Sequence, residues 1–329
     1  MTMRTIAFAQ VIAAVVAAPP VTSQAPAKSV PQRIADDFLK LFNAPVGYRL
    51  THAKGIIVTG TFVPAKDATA LSRAPHLAAP SAPVIVRFSD GTGIPTIPDN
   101  SPNAAPRGIA IRFSLANGAY TDIVANSHNG FVVGTGEEFA AFLDALVATQ
   151  DTSSHPTPIE KFLGSHPHAL KFVSDTKPLP ESFATETWYG NNALIFVNAK
   201  GVRQAGRYKI VPEAGSKYLD PDAAAKTPPN FLFDELPQRL KKGPVKLKVL
   251  VQLANPGDQT SDGSLPWPDD RKLVELGVVT LTTVAPDNAA LQRTLAFNPI
   301  NLTDGIGLSD DPLITLRSAV YALSVAHRK

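Results

Sequence analysis

Residues 244–254, PVKLKVLVQLA, set Val245, Leu247, Val249, Val251 and Leu253 in alternation with Lys246, Lys248 and Gln252. Only a two-residue period sends all five apolar side chains to one face, so the stretch reads as a half-exposed strand with its lysines outward. Seven further segments, 56–63, 83–89, 108–115, 122–126, 193–198, 207–211 and 276–284, share its Val, Ile, Phe and Thr content and are bounded by Gly, Pro, Asn or Asp. Eight short strands joined mostly without helices predict an antiparallel barrel. Thirty prolines in 329 residues agree with many turns and argue against a helical bundle.

Helices are expected at the sides of that barrel, which makes the class α+β. Ile34, Phe38, Leu41 and Phe42 have helical spacing within 28–43. Thr135-x-x-Glu138 is a capping box opening a helix to Thr149, with Phe139, Phe142, Leu143 and Leu146 on one face. The last helix, 313–327, has Pro312 in its first turn and Ser309 or Asp310 as its cap. It is apolar on nearly every face, so burial is expected all round.

Composition narrows the chemistry. There is no cysteine, which excludes disulfides, a thiol nucleophile, thiolate-ligated haem, iron–sulfur clusters and zinc ribbons. A metal must be held by N or O ligands or by a prosthetic group. Lys and Arg number 31 against 28 Asp and Glu, with charged residues at 18% and no basic run, so nucleic acid is not an expected partner. Residues 1–27 combine Arg4, an apolar stretch from Ile6 to Ala18 broken only by Gln10, and a small-residue end at Ala25-Pro26-Ala27. That layout reads as an export signal and predicts a periplasmic mature chain of residues 28–329. No other apolar run reaches the ~20 residues of a membrane span, so no membrane association is expected after the signal is removed.

Three places gather residues with chemical potential. Arg317, Tyr321 and Arg328 lie along one stripe of the last helix. Tyr321 reads either as a core tyrosine with Arg317 snorkelling and Arg328 in solvent, or as a phenolate favoured by a neighbouring cation and fit to bind ferric iron. In the strand around residue 87, Arg87 and Ser89 share the face opposite Val86 and Phe88, just after the cluster Tyr48-Arg49-Leu50-Thr51-His52. Asn126 ends an apolar strand. Gly91-Thr92-Gly93 and Gly134-Thr135-Gly136 lack the third glycine of a dinucleotide fingerprint and read as turns. His166-Pro167-His168, without carboxylates nearby, reads as a solvated loop.

Taken together, Arg49-x-x-His52-Ala53-Lys54-Gly55, Arg87-Phe88-Ser89, Pro106-Arg107-Gly108, Asp122-x-Val124-x-Asn126, Phe297-Asn298-Pro299-x-Asn301-Leu302 with Gly305-Ile306, and Arg317-x-x-x-Tyr321 resemble the haem-containing catalase superfamily. The pieces stand in that family's order, close over 30–139 and 290–329 and weak between. The resemblance implies an eight-stranded antiparallel barrel with flanking helices and haem b buried against the C-terminal helix. It makes Tyr321 the axial ligand of the haem iron and Arg317 its partner. It makes His52 and Asn126 the distal pair, with Ser89 bonded to the His52 ring. Phe139 matches the ring stacked on the distal face, Phe131 a nearby distal aromatic, and Phe297 a further cofactor contact. Arg49, Arg87 and Arg328 match the arginines that hold the two propionates.

The chemistry so implied is peroxide heterolysis through a ferryl species, with His52 as acid and base. Departures from the family then point to its small peroxidases. Ala105 stands where relatives commonly have an aspartate lining the peroxide channel, Asn192 where many have a histidine, and the chain ends eight residues after Tyr321. A wider, less polar approach implies reduction of hydrogen peroxide and organic hydroperoxides by a small organic reductant, with weak catalase activity, in a single barrel domain that is a monomer or homodimer. Two other readings share the barrel: a hydroperoxide isomerase or dehydratase of the allene oxide synthase kind, and a non-catalytic exported haem carrier.

Overall fold

The structure, a computed structural model, describes residues 27–175 and 177–329; the expected export signal lies outside these but for Ala27. Ten strands run in chain order: β1 Gly55–Pro64, β2 Ala82–Ser89, β3 Gly108–Ser114, β4 Tyr120–Asn126, β5 Trp188–Tyr189, β6 Leu194–Val197, β7 Arg203–Pro212, β8 Val245–Leu253, β9 Leu273–Val284 and β10 Ile306–Leu308. The helices are α1 Val30–Phe42, α2 Ala68–Leu71, α3 Pro75–Ala78, α4 Gly136–Gln150, α5 Pro158–Ser165, α6 Pro167–Ser174, α7 Pro221–Ala225, α8 Phe231–Lys242, α9 Asn288–Thr294 and α10 Pro312–His327.

Antiparallel pairing in the order β7-β5-β4-β3-β2-β1-β9-β8, with β8 returning to β7, closes an eight-stranded barrel. β6 and β10 extend it from β7. The register puts Ile56, Phe88, Ile109 and Ala125 in one lateral row and Val58, Val86, Ile111 and Ile123 in the next. All eight are buried and belong to one continuous core. Each large apolar side chain so enclosed contributes about 1.5–3 kcal/mol.

Four expectations are corrected. Asp311 caps α10, its carboxylate accepting from the Leu313 amide at 2.9 Å, because Asp311 is the residue directly before the Pro312 first turn. α10 is not buried on every side: Leu313, Ile314 and Val320 are enclosed, while Leu316, Tyr321 and Val325 line an internal cavity. Gln252 is buried, not exposed, although the alternation persists through Val251, because the chain before β9 covers the outer face there and the Gln252 amide donates to the Pro268 carbonyl at 2.9 Å. His166 joins α5 to α6, stacked 3.9 Å from the Phe162 ring and bonded to the Phe162 carbonyl, so the segment is a helix junction and not a solvated loop.

A second apolar cluster forms beside the barrel, where α1 packs on α4 and α10. Between this helical layer and the outer face of β2, β3 and β4 lies a cavity of about 920 Å³.

Candidate active site

Two outward rows run across four adjacent strands, and those of β2, β3 and β4 make the cavity floor. One lateral row reads Gly55, Ser89, Gly108, Asn126 across β1 to β4, and the next reads Ile57, Arg87, Ala110, Val124. The glycines leave the room that two large side chains use. A Cβ on Gly108 would sit 2.9 Å from both His52 Nδ1 and Ser89 Oγ, and one on Gly55 would strike the Arg87 guanidinium. The imidazole therefore lies over Gly108 and the guanidinium over Gly55.

His52 stands on the loop before β1 with φ 55°, a left-handed conformation unfavourable for a side chain with a Cβ. Backbone bonds from the His52 amide to Gly91, from the Ala53 amide to Thr92 and from the Asp90 amide to Lys54 hold it there. Nδ1 of His52 is 3.1 Å from Ser89 Oγ. Burial, then the nearby positive charge of Arg87, pushes the imidazole down to about 3, so it is neutral across the physiological range. Asn126 Oδ1 accepts from the His128 amide at 2.9 Å, which leaves Nδ2 as its free donor.

Across the cavity, Arg317 donates to Tyr321 Oη at 2.8 Å and to Asn192 Oδ1 at 2.5 Å. Asn192 in turn donates to Asp311, the α10 cap, at 2.7 Å. A chain of polar contacts thus runs from the start of α10 to Tyr321 one face further along.

The third group is Arg49, Arg87 and Arg328. All three converge on the end of α9: Arg49 and Arg328 donate to the carbonyls of Gln292 and Leu295, and Arg87 donates to the Gln292 side-chain oxygen at 2.7 Å and to the His52 carbonyl. Every acceptor is a neutral oxygen, and among the described residues none of the three forms an ion pair. Arg328 Nε is buried with no partner. Burial and the charges of Arg87 and Arg328 push Arg49 down to about 7, and burial and Arg328 push Arg87 down to about 9. A guanidinium keeps its proton in a protein, so the depression reflects charge held in an enclosed place beside like charge, a cost that a bound anion relieves. A ligand bearing two carboxylates answers it.

Phe131 and Phe139 pack together at 5.0 Å on the cavity wall, and Phe297 lines it from the other side. The loop carrying Phe297 is fastened by Asp122, whose carboxylate takes both Arg112 nitrogens, the Asn298 amide and the Asn301 side chain. The structure therefore brings every residue singled out in the sequence onto one cavity: His52, Ser89, Asn126, Arg49, Arg87, Phe131, Phe139, Phe297, Arg317, Tyr321 and Arg328. Ala105 lines it too. Sequence reasoning missed Gln292, the hub of the arginines, because α9 is short and carries no pattern. It also left Asn192 without a role, since its two partners are 119 and 125 residues away.

A largely apolar cavity lined by a phenol, an imidazole and three arginines that form no ion pair among the described residues fits haem: Tyr321 as the iron ligand, the arginines for the propionates, and Phe131 and Phe139 against the ring. The catalase family model matches residues 34–329. A catalase-related peroxidase of Mycolicibacterium paratuberculosis is 36% identical over 301 residues, covering 91% of this chain and 94% of its own length. One of Synechococcus elongatus is 32% identical, covering 91% and 88%. The structures of a bacterial and a fungal catalase superpose with TM-scores of 0.74 and 0.73 at 21% and 20% identity, and this chain spans 63% and 66% of them. With that family match over nearly the whole chain, and relatives covered over 94% and 88% of their own length, the chain belongs to the catalase family as one of its small members.

Proposed function

We propose that the chain is a haem-dependent peroxidase that reduces hydrogen peroxide and organic hydroperoxides at the expense of a small organic reductant, with weak catalase activity, and that it is exported by residues 1–27. The observation that carries the reading is the arginine trio: three enclosed cations, Arg87 and Arg328 buried, with no acidic partner among the described residues, in the cavity that also holds the His52–Ser89 and Arg317–Tyr321 pairs. The names of the two similar peroxidases support the same activity.

Tyr321 would hold the iron of a bound haem, and that group would pass the reductant's two electrons to the peroxide O–O bond. The residues of the chain move and hold the protons. His52, neutral when free, takes the proton of the inner peroxide oxygen on Nε2 and returns it to the outer one as that oxygen departs. The base form this requires carries its other proton on Nδ1, donated to Ser89 Oγ, so Ser89 fixes the tautomer. Asn126 Nδ2 donates to the peroxide oxygen without exchanging a proton. The balance is ROOH + 2 e⁻ + 2 H⁺ → ROH + H₂O, with both electrons from the reductant.

Ala105 removes a carboxylate from the approach and favours bulkier, less polar peroxides over rapid dismutation of hydrogen peroxide. The test is purified protein reconstituted with haem, its absorption spectrum, and turnover of cumene hydroperoxide with a dye reductant beside oxygen release from hydrogen peroxide. A haem band, good dye oxidation and modest oxygen release are expected. Absence of a haem band overturns the cofactor assignment, and vigorous oxygen evolution overturns the peroxidase label.

A further inference from the structure

The cavity continues past the distal residues. From Phe139 the wall passes to Phe131 at 5.0 Å, from Phe131 to Phe172 at 6.2 Å, and ends with Lys177 Nζ 4.7 Å above the Phe172 ring. Leu146 and Val173 complete this corridor, and Val173 at its rim is 43% exposed. Its inner end adjoins Asn126, because His128, bonded to the Asn126 side chain, packs its ring edge against Phe172 at 4.7 Å.

The charges at the rim do not cancel. Asp175 is taken by Lys171, with both carboxylate oxygens 2.7 and 2.8 Å from its amine, and is 3.7 Å from His128 Nε2. Lys177 donates to two neutral carbonyls, Phe172 at 2.5 Å and Asp175 at 3.1 Å, and among the described residues its third N–H has no partner. Capping α6 accounts for those two bonds. It does not account for a half-buried cation placed against an aromatic wall that leads to the distal residues.

We infer that this corridor takes amphiphilic hydroperoxides that carry a carboxylate remote from the peroxide group. The peroxide lies at His52 and Asn126, the apolar stem along Phe131, Phe172, Leu146 and Val173, and the carboxylate on Lys177. The inference rests on the peroxidase reading and names its substrate class. The O–O bond breaks as written above, the reductant gives both electrons, and the carboxylate is unchanged.

Linoleic acid hydroperoxide and its methyl ester, each with a dye reductant and the haem-loaded protein, test it, with cumene hydroperoxide alongside. The acid is expected to exceed the ester about tenfold in kcat/KM, through KM, the size of one charge-assisted contact. Lys177→Glu erases that ratio and Lys177→Arg keeps it. Oleate affinity measured by calorimetry, a readout without turnover, follows the same order. Equal use of acid and ester, or a ratio unchanged in Lys177→Glu, overturns the inference while turnover of cumene hydroperoxide leaves the peroxidase reading standing. If no hydroperoxide is reduced, the peroxidase reading falls and this inference with it. If Lys177→Glu melts early, Lys177→Gln decides by the same ratio.

Discussion

At the scale of residues, His52 combines a left-handed backbone with a ring that lines the internal cavity. Its conformation costs about 1–2 kcal/mol relative to an ordinary one, offset by the backbone bonds that clamp residues 52–54 to 90–92. Because burial lowers the imidazole to about 3, the free base predominates above that value. The rate of peroxide reduction is therefore expected to show no inflection near 6.5, the ordinary histidine range, in a profile from pH 5 to 8. His52→Ala is expected to lower kcat/KM for peroxide by about 10²–10⁴ while the haem absorption of the loaded protein persists; wild-type rates in the variant would remove His52 from the mechanism. His52 and Tyr321 were legible through their motifs, and Ser89 through strand parity with Arg87. Gln292 was not, since nothing local distinguishes a glutamine that accepts from two arginines.

At the scale of elements, strand parity performs the assembly. Residues facing outward on β1 to β4 become one surface because lateral register aligns Gly55, Ser89, Gly108 and Asn126. Gly108→Ala inserts a methyl 2.9 Å from His52 Nδ1 and Ser89 Oγ, and the 3.1 Å contact between them must open. Turnover is expected to fall at least about tenfold, with a cost in unfolding free energy of about 1–3 kcal/mol; steady-state rates and urea melts on one preparation separate the two. The eight strands read from the sequence are all present with ends displaced by a few residues, because composition marks a strand and pairing partners define where it stops; the segment 193–198, however, becomes β6 beside the closed barrel, and β5 takes its place within it. β5 escaped reading since two residues have no period, and exist as a strand only through β4 and β7. α2, α3, α5 to α7 and α9 escaped for the same reason, each having eight residues or fewer; α8 has twelve, with Leu232, Leu236 and Leu240 at helical spacing, and its stripe went unread.

At the scale of the whole molecule, a network of buried charge lies behind the distal loop. Lys54 binds Asp99 at 2.5 Å, and Asp90 is 3.9 Å from Lys54 and 3.6 Å from Arg107, with neither carboxylate oxygen hydrogen-bonded to a donor. Burial and the adjacent Asp99 push Asp90 up to about 8, and burial pushes Glu186 up to about 7. The folded protein therefore holds protons that the unfolded chain releases above its ordinary carboxyl range. Their contribution to stability is complete below about pH 4 and is lost as pH rises to about 8. Asp90→Asn is expected to flatten the decline in melting temperature between pH 5 and 8 relative to wild type; parallel curves would refute the assignment. The arginine trio makes a second prediction at this scale. Protoporphyrin IX is expected to raise the melting temperature of the cofactor-free protein and its dimethyl ester to do so far less, because only the free acid brings the two anions. Equal shifts would show that the arginines bind no carboxylate.

In the amino-acid sequence, the absence of cysteine narrowed the chemistry, and the resemblance of the motifs to the catalase superfamily pointed to haem. The sequence alone determined the strands, through period-two alternation at 245–253 and strand composition elsewhere, and the stripe that carries Arg317 and Tyr321 on one helix. Those are local properties: a strand's faces and a helix's stripe follow from backbone geometry within a few residues. Tertiary structure decided that Arg49, Arg87 and Arg328 meet at α9 without an anion, that Asn192 joins the α10 cap to Arg317, and that Lys177 closes an aromatic corridor beginning at Asn126. Charge that must be matched and space that must be filled depend on groups tens to hundreds of residues apart, and only the folded chain brings them within reach of one another.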